Sequence, residues 1–384
     1  MRRLALHPAI LAAASTHFIV DAYGNLYAPL LPVLIPRLGL SLTMAGTLAM
    51  LFQMATSVSQ LGFGALADRG NARLLLIGGP ILTVLVLSGV ASASSTLMLG
   101  TLLVIGGLGG AAFHPPAAAL VHGVSDHRKG FAMSLHITGG SLGMAMAPLV
   151  FVPMAIALGY GWSWLIAVPG LIALAYTLRL INAVPLATRT GRPQGWADLR
   201  PYARPLGLLY ACVVLRTLTS QSLSTFMPVL LTRQGMSVTE ASAAVTSYLF
   251  FTGIGGFIGG PLADVYGPRR VIIWSLVSSV PFLVGAHWTT GWVFTALISM
   301  GGFLLQSTLP VNVTFGQQLA PVSAATVSSL MMGFAWGMGA LLSPLVGLLG
   351  DTMGLQFALL ATAGIPLLAA LAAAPLPATV VRSN

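Results

Sequence analysis

The sequence predicts an all-α membrane protein: twelve transmembrane helices in two six-helix, pseudo-symmetric halves. Three observations predict it. Only 6% of the 384 residues are charged and 56% are hydrophobic, with a mean hydropathy of +0.91. A soluble domain carries about 25% charged residues, so this chain cannot clothe a water-facing surface. The chain divides into twelve apolar runs, each near the ~20 residues that cross a bilayer as a helix. Finally, the sequence matches itself when shifted by 196 residues, the distance from Pro32 to Pro228.

In order, the runs cover 8–36, 43–67, 73–92, 96–122, 130–157, 162–184, 204–232, 238–263, 270–288, 291–318, 323–349 and 354–376. They are too long, and alternate too little, to be strands of a membrane barrel. They leave no stretch for a soluble domain. The first run follows Arg2 and Arg3 in the manner of a secretory leader. The repeat gives it a counterpart in the seventh run, so it is read as a retained span. Cys212 is the only cysteine, which excludes an internal disulfide.

The repeat sets the domains: residues 1–184 as the first half, 185–203 as a polar cytoplasmic linker rich in Arg and Pro, and 204–384 as the second half. PVLIPRLGLSLTMA from Pro32 lies over PVLLTRQGMSVTEA from Pro228. Gly64, Leu66, Ala67, Asp68 and Arg73 fall on Gly260, Leu262, Ala263, Asp264 and Arg269; Gly143, Pro148 and Leu149 fall on Gly339, Pro344 and Leu345. Two matching six-helix halves are an architecture of secondary transporters.

The formal net charge of +10 would suggest a nucleic-acid partner in a soluble protein. Here its placement points to a lipid bilayer. With both termini inside, Arg2, Arg3, Arg69, Arg73, Arg128, Lys129, Arg179, Arg189, Arg192, Arg200, Arg204, Arg269, Arg270 and Arg382 are cytoplasmic, fourteen of the seventeen basic residues. Arg37 and Arg233 lie on the opposite face. This positive-inside bias orients a multi-pass protein.

Two loops stand out on the cytoplasmic face, GALADRGNAR (64–73) and GPLADVYGPRR (260–270). Their glycines allow close helix approach. Their aspartates sit at helix ends, where an arginine or a helix N-terminus can hold and release them. The expected latch uses Gly64 and Asp68 with Arg69 or Arg73, and Gly260 and Asp264 with Arg269 or Arg270. In GGSLGMAMAPL (139–149), the small residues Gly139, Gly143 and Ala147 share one helix face, and Pro148 removes a backbone bond.

The two loops resemble the G-x-L-A-D-R-x-G-R-[RK] signature of the major facilitator superfamily. The first copy departs from it with Gly70 one place early and Asn71 and Ala72 in place of Gly and Arg. The second has Val265 and Pro268 for the two arginines. The run at Gly139, Gly143 and Pro148 resembles the G-x-x-x-G-P element of proton-coupled drug antiporters, with Ala147 where glycine is usual. HFIVDAYGNLYAPLLPVL (17–34), AAFHPPAAAL (111–120) and GFAWGMGALLSPLVGLLGD (333–351) resemble the fosmidomycin-resistance branch. That branch implies a monomeric bacterial inner-membrane exporter of a small antibiotic. It would use the proton gradient as its energy source and need no cofactor.

Ionisable residues at membrane depth are costly and mark functional sites. Asp21 lies mid-way along the first run, with His17 one turn earlier on the same face. A buried carboxylate beside an imidazole can take up and release a proton. Asp21, His17 and His114 are therefore the expected proton-coupling residues, with a fixed hydrogen-bonded strut as the alternative. Arg216 lies mid-way along the seventh run and stays charged. It either pairs with Asp21 or faces a cavity and attracts an anionic substrate.

His114 precedes Pro115 and Pro116, which cannot donate backbone hydrogen bonds. The FHPP stretch is expected to be a broken segment lining the transport path, and Pro310, its repeat equivalent, to bend the tenth run. Expected substrate contacts are Arg216, His114, Tyr23, Gln221, Gln306 and Asn312. His122, His127 and His136 are placed near the cytoplasmic end, in water.

No phosphate-binding loop, close Cys/His metal spacing or polar carboxylate pair suggests an enzyme or a resident metal. The favoured function is proton-coupled efflux of a small, anionic organic compound. Organic-acid transport, metal-ion transport and a non-transporting receptor remain as alternatives. Metal transport would need His17, Asp21, His114, Cys212 and nearby methionines to converge.

Overall fold

The computed structural model describes residues 7–125, 129–182, 196–320 and 324–378. Arg2, Arg3, His127, Arg128, Arg189, Arg192, Arg382 and most of the 185–203 linker lie outside the described residues. Every regular element among those described is helical. In chain order the α-helices are α1 (Pro8–Gly24), α2 (Tyr27–Leu38), α3 (Leu42–Ser57), α4 (Ser59–Leu66), α5 (Ala72–Leu87), α6 (Thr96–Gly123), α7 (Lys129–Leu158), α8 (Ala167–Asn182) and α9 (Ala203–Arg233). They continue as α10 (Val238–Tyr266), α11 (Pro268–Gly285), α12 (Gly291–Gln306), α13 (Thr308–Leu319), α14 (Ala324–Ser329), α15 (Ala335–Ala340), α16 (Ser343–Met353), α17 (Leu355–Ala363) and α18 (Ile365–Ala373).

Among the described residues, 11 helical runs are long and apolar enough to cross a membrane. The protein is a multi-pass membrane protein. One of these runs, Leu42–Ser92, has 51 residues. At 1.5 Å per residue it would measure about 76 Å if straight, more than twice the ~30 Å hydrocarbon core. It is not straight. Inside the Ala67–Asn71 turn, Gly70 has φ 95°, a left-handed conformation that only glycine adopts readily.

Proline explains most of the other interruptions. The first run breaks at Asn25 and Leu26, and Pro29 then sits in the first turn of α2, where a missing amide costs nothing. The run holding α12 and α13 is interrupted at Ser307. Pro310 withholds the amide that would bond the Gln306 carbonyl. α15 ends before Leu341, and Pro344 opens α16.

The helix at FHPP behaves differently from expectation. α6 runs without a break from Thr96 to Gly123, through Pro115 and Pro116. The FHPP stretch is therefore not a broken segment. Each proline ring crowds the residue one turn earlier. The two prolines leave the Ala111 and Ala112 carbonyls without their helical amide donors, yet the helix continues past them.

By their contacts the residues form two compact units, one of Met1–Leu30 and Leu51–Thr190, the other of Leu31–Met50 and Gly191–Asn384. In the first unit α1 packs against α7 almost backbone to backbone. A Cβ at Gly139 would fall on the Ala14 carbonyl, and one at Gly143 on the Phe18 carbonyl. The small-residue face is thus the surface on which α1 lies. α5 and α6 cross at a second glycine pair, where a Cβ at Gly79 would come within 2.6 Å of the Gly109 carbonyl.

In the second unit, Gly255 and Gly259 of α10 meet the Phe303 and Ser307 carbonyls in the same way. Helix starts in this unit are capped by two different routes. At α10, Ser237 and Glu240 form a capping box, with Ser237 N donating to Glu240 Oε2 at 2.8 Å and Glu240 N to Ser237 Oγ at 3.2 Å. At α3 the equivalent of Glu240 is Met44, and the carboxylate comes from α16 instead. Asp351 accepts from Leu42 N at 2.8 Å, from Thr43 N at 2.9 Å and from Thr43 Oγ1 at 2.7 Å. Gly46 and Gly347 let the two segments approach that closely.

Candidate functional site: a histidine–aspartate cluster and a buried arginine

α1 presents His17 and Asp21 one turn apart on the face turned to α6 and α7. His17 Nε2 lies 3.2 Å from Asp21 Oδ2, and His114 Nε2, from α6, lies 3.6 Å from Asp21 Oδ1. One ligand atom from each of the three residues falls within 4.8 Å of the others. His17 Nδ1 is 2.8 Å from the His136 carbonyl of α7. A carbonyl only accepts, so Nδ1 carries hydrogen and donates, and Nε2 is left facing Asp21. Phe113 closes one side, its ring centroid 5.9 Å from that of His17. Gly140 closes another: a Cβ there would lie 2.5 Å from both Asp21 Oδ2 and His17 Nε2.

This geometry has one chemical consequence. With Nδ1 protonated, a neutral His17 would point its Nε2 lone pair at a carboxylate oxygen. Two acceptors cannot rest 3.2 Å apart without a cation between them. The cluster is therefore built to hold a proton or another small cation. The three side chains are 13%, 17% and 20% exposed, so ions can reach them.

His136 belongs to this cluster. It was expected to meet water, but it is 3% exposed and its ring lies 4.3 Å from that of His17. The reason is helical phase: His136, Gly140 and Gly143 share the face of α7 that α1 covers. That spacing was visible in the sequence. His122, by contrast, is exposed.

The second unit buries Arg216 of α9, which is 1% exposed. Its Nη1 donates to Gln306 Oε1, and its Nη2 donates to Thr217 Oγ1 at 3.1 Å, while Nε has no partner. Among the described residues of this unit, no carboxylate lies within ion-pair distance of the guanidinium. Neutral acceptors alone leave most of a buried charge uncompensated. Asn312 is 1% exposed, and both polar atoms of its side chain lack partners. Gln221 and Gln306 are half-buried. Cys212 is fully buried in the apolar core of this unit.

The family model of the Major Facilitator Superfamily matches residues 13–215 and again residues 209–382. The chain belongs to this superfamily of secondary transporters. It is 28% identical to the "Uncharacterized MFS-type transporter YfnC" of Bacillus subtilis over 96% of this chain and 92% of that protein. It is 29% identical to the "Fosmidomycin resistance protein" of Escherichia coli over 94% of this chain and 90% of that one. Among solved structures, a bacterial homologue of the human lysosomal transporter Spinster, described as inward-facing and unoccupied, superposes with a TM-score of 0.79 at 17% identity, covering 95% of each chain. The Escherichia coli fucose:proton symporter superposes with a TM-score of 0.66 at 17% identity, covering 96% of this chain and 98% of that one.

Asp68 and Asp264 are exposed, and neither forms an ion pair among the described residues of its unit. The expected pairs with Arg69, Arg73, Arg269 and Arg270 are therefore not made by these carboxylates in this conformation. The loop glycines also differ from expectation. A Cβ at Gly64 would only touch Pro115 at 3.8 Å, and one at Gly260 would meet nothing within 4 Å. Close packing falls to Gly255 and Gly259 instead. Each loop places a glycine at positive φ, Gly70 (φ 95°, ψ 0°) in the first copy and Gly267 (φ 85°, ψ 145°) in the second, so the two turns use glycine in different conformations.

Tyr23, expected among the substrate contacts, is packed within its own unit in this conformation. It is 3% exposed, its hydroxyl donates to the Ile166 carbonyl at 2.6 Å, and its ring packs on Phe151 and against Gly170. Its neighbour Asn25 has a role that the sequence reading missed. Pro148 of α7 withholds the amide that would bond the Met144 carbonyl, and Asn25 Nδ2 donates to that carbonyl at 2.8 Å. The break in the first run and Pro148 of the 139–149 run thus meet at one hydrogen bond.

This pairing predicts a coupled stability effect. Asn25→Ala leaves the Met144 carbonyl without that donor and should cost about 1–3 kcal/mol. In a Pro148→Ala background the restored backbone amide takes over, and Asn25→Ala should cost much less. Thermal unfolding of the four proteins in detergent measures the difference. Equal losses in both backgrounds would show that Asn25 does not stand in for the missing amide.

Proposed function

We propose that this superfamily member is a proton-coupled antiporter that exports a small organic anion by alternating access. Its fold is read as twelve crossings, with residues 42–92 supplying two of them. Residues 1–184 and 204–384 form the two six-helix halves, and 185–203 a cytoplasmic linker. The positive-inside bias supports a bacterial inner-membrane location with both termini cytoplasmic. No cofactor is invoked, and the transport unit is a monomer.

The observation that carries the proposal is the carboxylate of Asp21 between His17 Nε2 at 3.2 Å and His114 Nε2 at 3.6 Å inside a membrane-spanning bundle. The site calls for a cation, and the proton is the one a transporter can draw on at every turnover. Arg216 is the counterpart for the cargo. A buried guanidinium whose acceptors, among the described residues of its unit, are the neutral Gln306 and Thr217 can gain from an anion. Gln221, Gln306 and Asn312 supply hydrogen bonds around it. Gly139, Gly143 and Pro148 resemble the antiporter element, which favours exchange over symport. The loops around Asp68 and Asp264 are read as latches that close in another conformation. Organic-acid uptake on the same fold is the second reading, and Arg216 serves it equally well.

The test is flux in proteoliposomes. Fosmidomycin, the compound for which the Escherichia coli relative is named, is the first to try, followed by other small organic anions. Asp21→Asn should fold and lose gradient-driven transport by more than tenfold while still binding the compound. Wild-type-like driven flux in that variant would remove Asp21 from the coupling mechanism. Arg216→Gln should fold yet bind anionic compounds at least tenfold more weakly, about 1.4 kcal/mol. A large loss of melting temperature with unchanged affinity would instead make Arg216 a structural residue.

A further inference from the structure

We propose that His17, Asp21 and His114 form a binding site for a divalent transition metal of the Zn²⁺, Co²⁺ or Ni²⁺ class, seated against Gly140. The inference concerns the cluster assigned above to the proton. It rests on that reading only for its consequence: a metal held there occupies the same lone pairs and arrests proton-linked transport. The site itself rests on geometry.

Zinc bonds to histidine nitrogen and carboxylate oxygen run about 2.0–2.2 Å, so neighbouring ligand atoms around a tetrahedral ion lie about 3.3–3.4 Å apart. His17 Nε2 lies 3.2 Å from Asp21 Oδ2 and His114 Nε2 lies 3.6 Å from Asp21 Oδ1, so the carboxylate offers one oxygen to each imidazole. Taking a single oxygen, the three ligand atoms lie within 4.8 Å of one another, and side-chain rotation must draw them together around an ion. The ligand set, two imidazoles and one carboxylate, favours borderline ions over Mg²⁺ or Ca²⁺.

Two further features fit a metal. Metal-binding histidines usually donate their second ring nitrogen to a backbone carbonyl or carboxylate, which fixes the tautomer and aims the ligand nitrogen. His17 Nδ1 does this with the His136 carbonyl at 2.8 Å. The second feature is Gly140. A Cβ at this position would lie 2.5 Å from Asp21 Oδ2 and 2.5 Å from His17 Nε2, close to where an ion bridging them must sit. Glycine leaves room there that any other residue would fill. Three protein ligands with partial exposure also leave a coordination position open to water, as in reactive rather than structural zinc sites.

The experiment is a Co²⁺ titration of the purified protein in detergent at fixed pH, read by visible absorption. One Co²⁺ per chain is expected, with the intense bands of four-coordinate cobalt, displaced by Zn²⁺ and untouched by excess Mg²⁺. Asp21→Asn and His114→Gln should each weaken binding at least tenfold. Gly140→Ala keeps all three ligands and should also abolish the bands, which a metal bound at the other histidines would not do. Thermal unfolding checks that each variant folds, and any one folded variant suffices for the decision. No bands at millimolar Co²⁺, or bands unchanged in every folded variant, would overturn the proposal. Neither result bears on proton coupling, which the Asp21→Asn flux assay decides separately.

Discussion

The near-contact of α1 with α7 is the constraint on which the rest of the first unit depends. Gly139 and Gly143 let the α1 backbone lie on the α7 backbone at Ala14 and Phe18. At that spacing a side chain of one helix can reach the main chain of the other. Bonds of this kind run from His17 to the His136 carbonyl and from Asn25 to the Met144 carbonyl. The first sets the histidine tautomer and so the chemistry of the cluster. The second completes a helix that proline has left one bond short. Membrane packing at small residues thus has a role beyond cohesion here, because it orients the ionisable groups.

The two halves of the sequence repeat have diverged most where the chemistry lies. The repeat equivalents of His17, Asp21 and His114 are Val213, Thr217 and Pro310. The cluster therefore exists once. Arg216 occurs once too, beside the equivalent of Asp21. On the proposed reading the proton and the anion are handled by different halves, and coupling passes through the conformational change rather than through a permanent ion pair. An arginine clamped on Asp21 would keep that carboxylate ionised and useless as a carrier. The caps show the same divergence: Glu240 completes its own helix start, while Leu42 and Thr43 borrow Asp351 from a distant segment.

Much of this was legible in the residues. The apolar runs, the small-residue face at Gly139 and Gly143 and the pairing of His17 with Asp21 all follow from composition and helical spacing. His114 could be singled out as polar at membrane depth, but not placed, because its distance from Asp21 depends on how α6 packs on α1. His136 was misassigned because its distance from the polar loop outweighed its phase on α7. The FHPP stretch was misjudged for a local reason. Proline removes a backbone bond without always ending a helix, and α6 continues through Pro115 and Pro116. Tyr23 was placed among the substrate contacts, yet Gly170, far away in sequence, makes the pocket that buries it. On the proposed reading, the latch pairs at Asp68 and Asp264 form in another conformation, which residue spacing does not reveal.

The central claim is that His17, Asp21 and His114 behave as one cation-binding unit. Nitrogen NMR of histidine-labelled protein across a pH series tests it most directly, without any knowledge of the substrate. The account predicts a hydrogen on His17 Nδ1 throughout, and His17 and His114 signals that titrate together as a coupled pair and both shift in Asp21→Asn. A His17 signal that titrates independently, with the same midpoint in Asp21→Asn as in the parent protein, would contradict it.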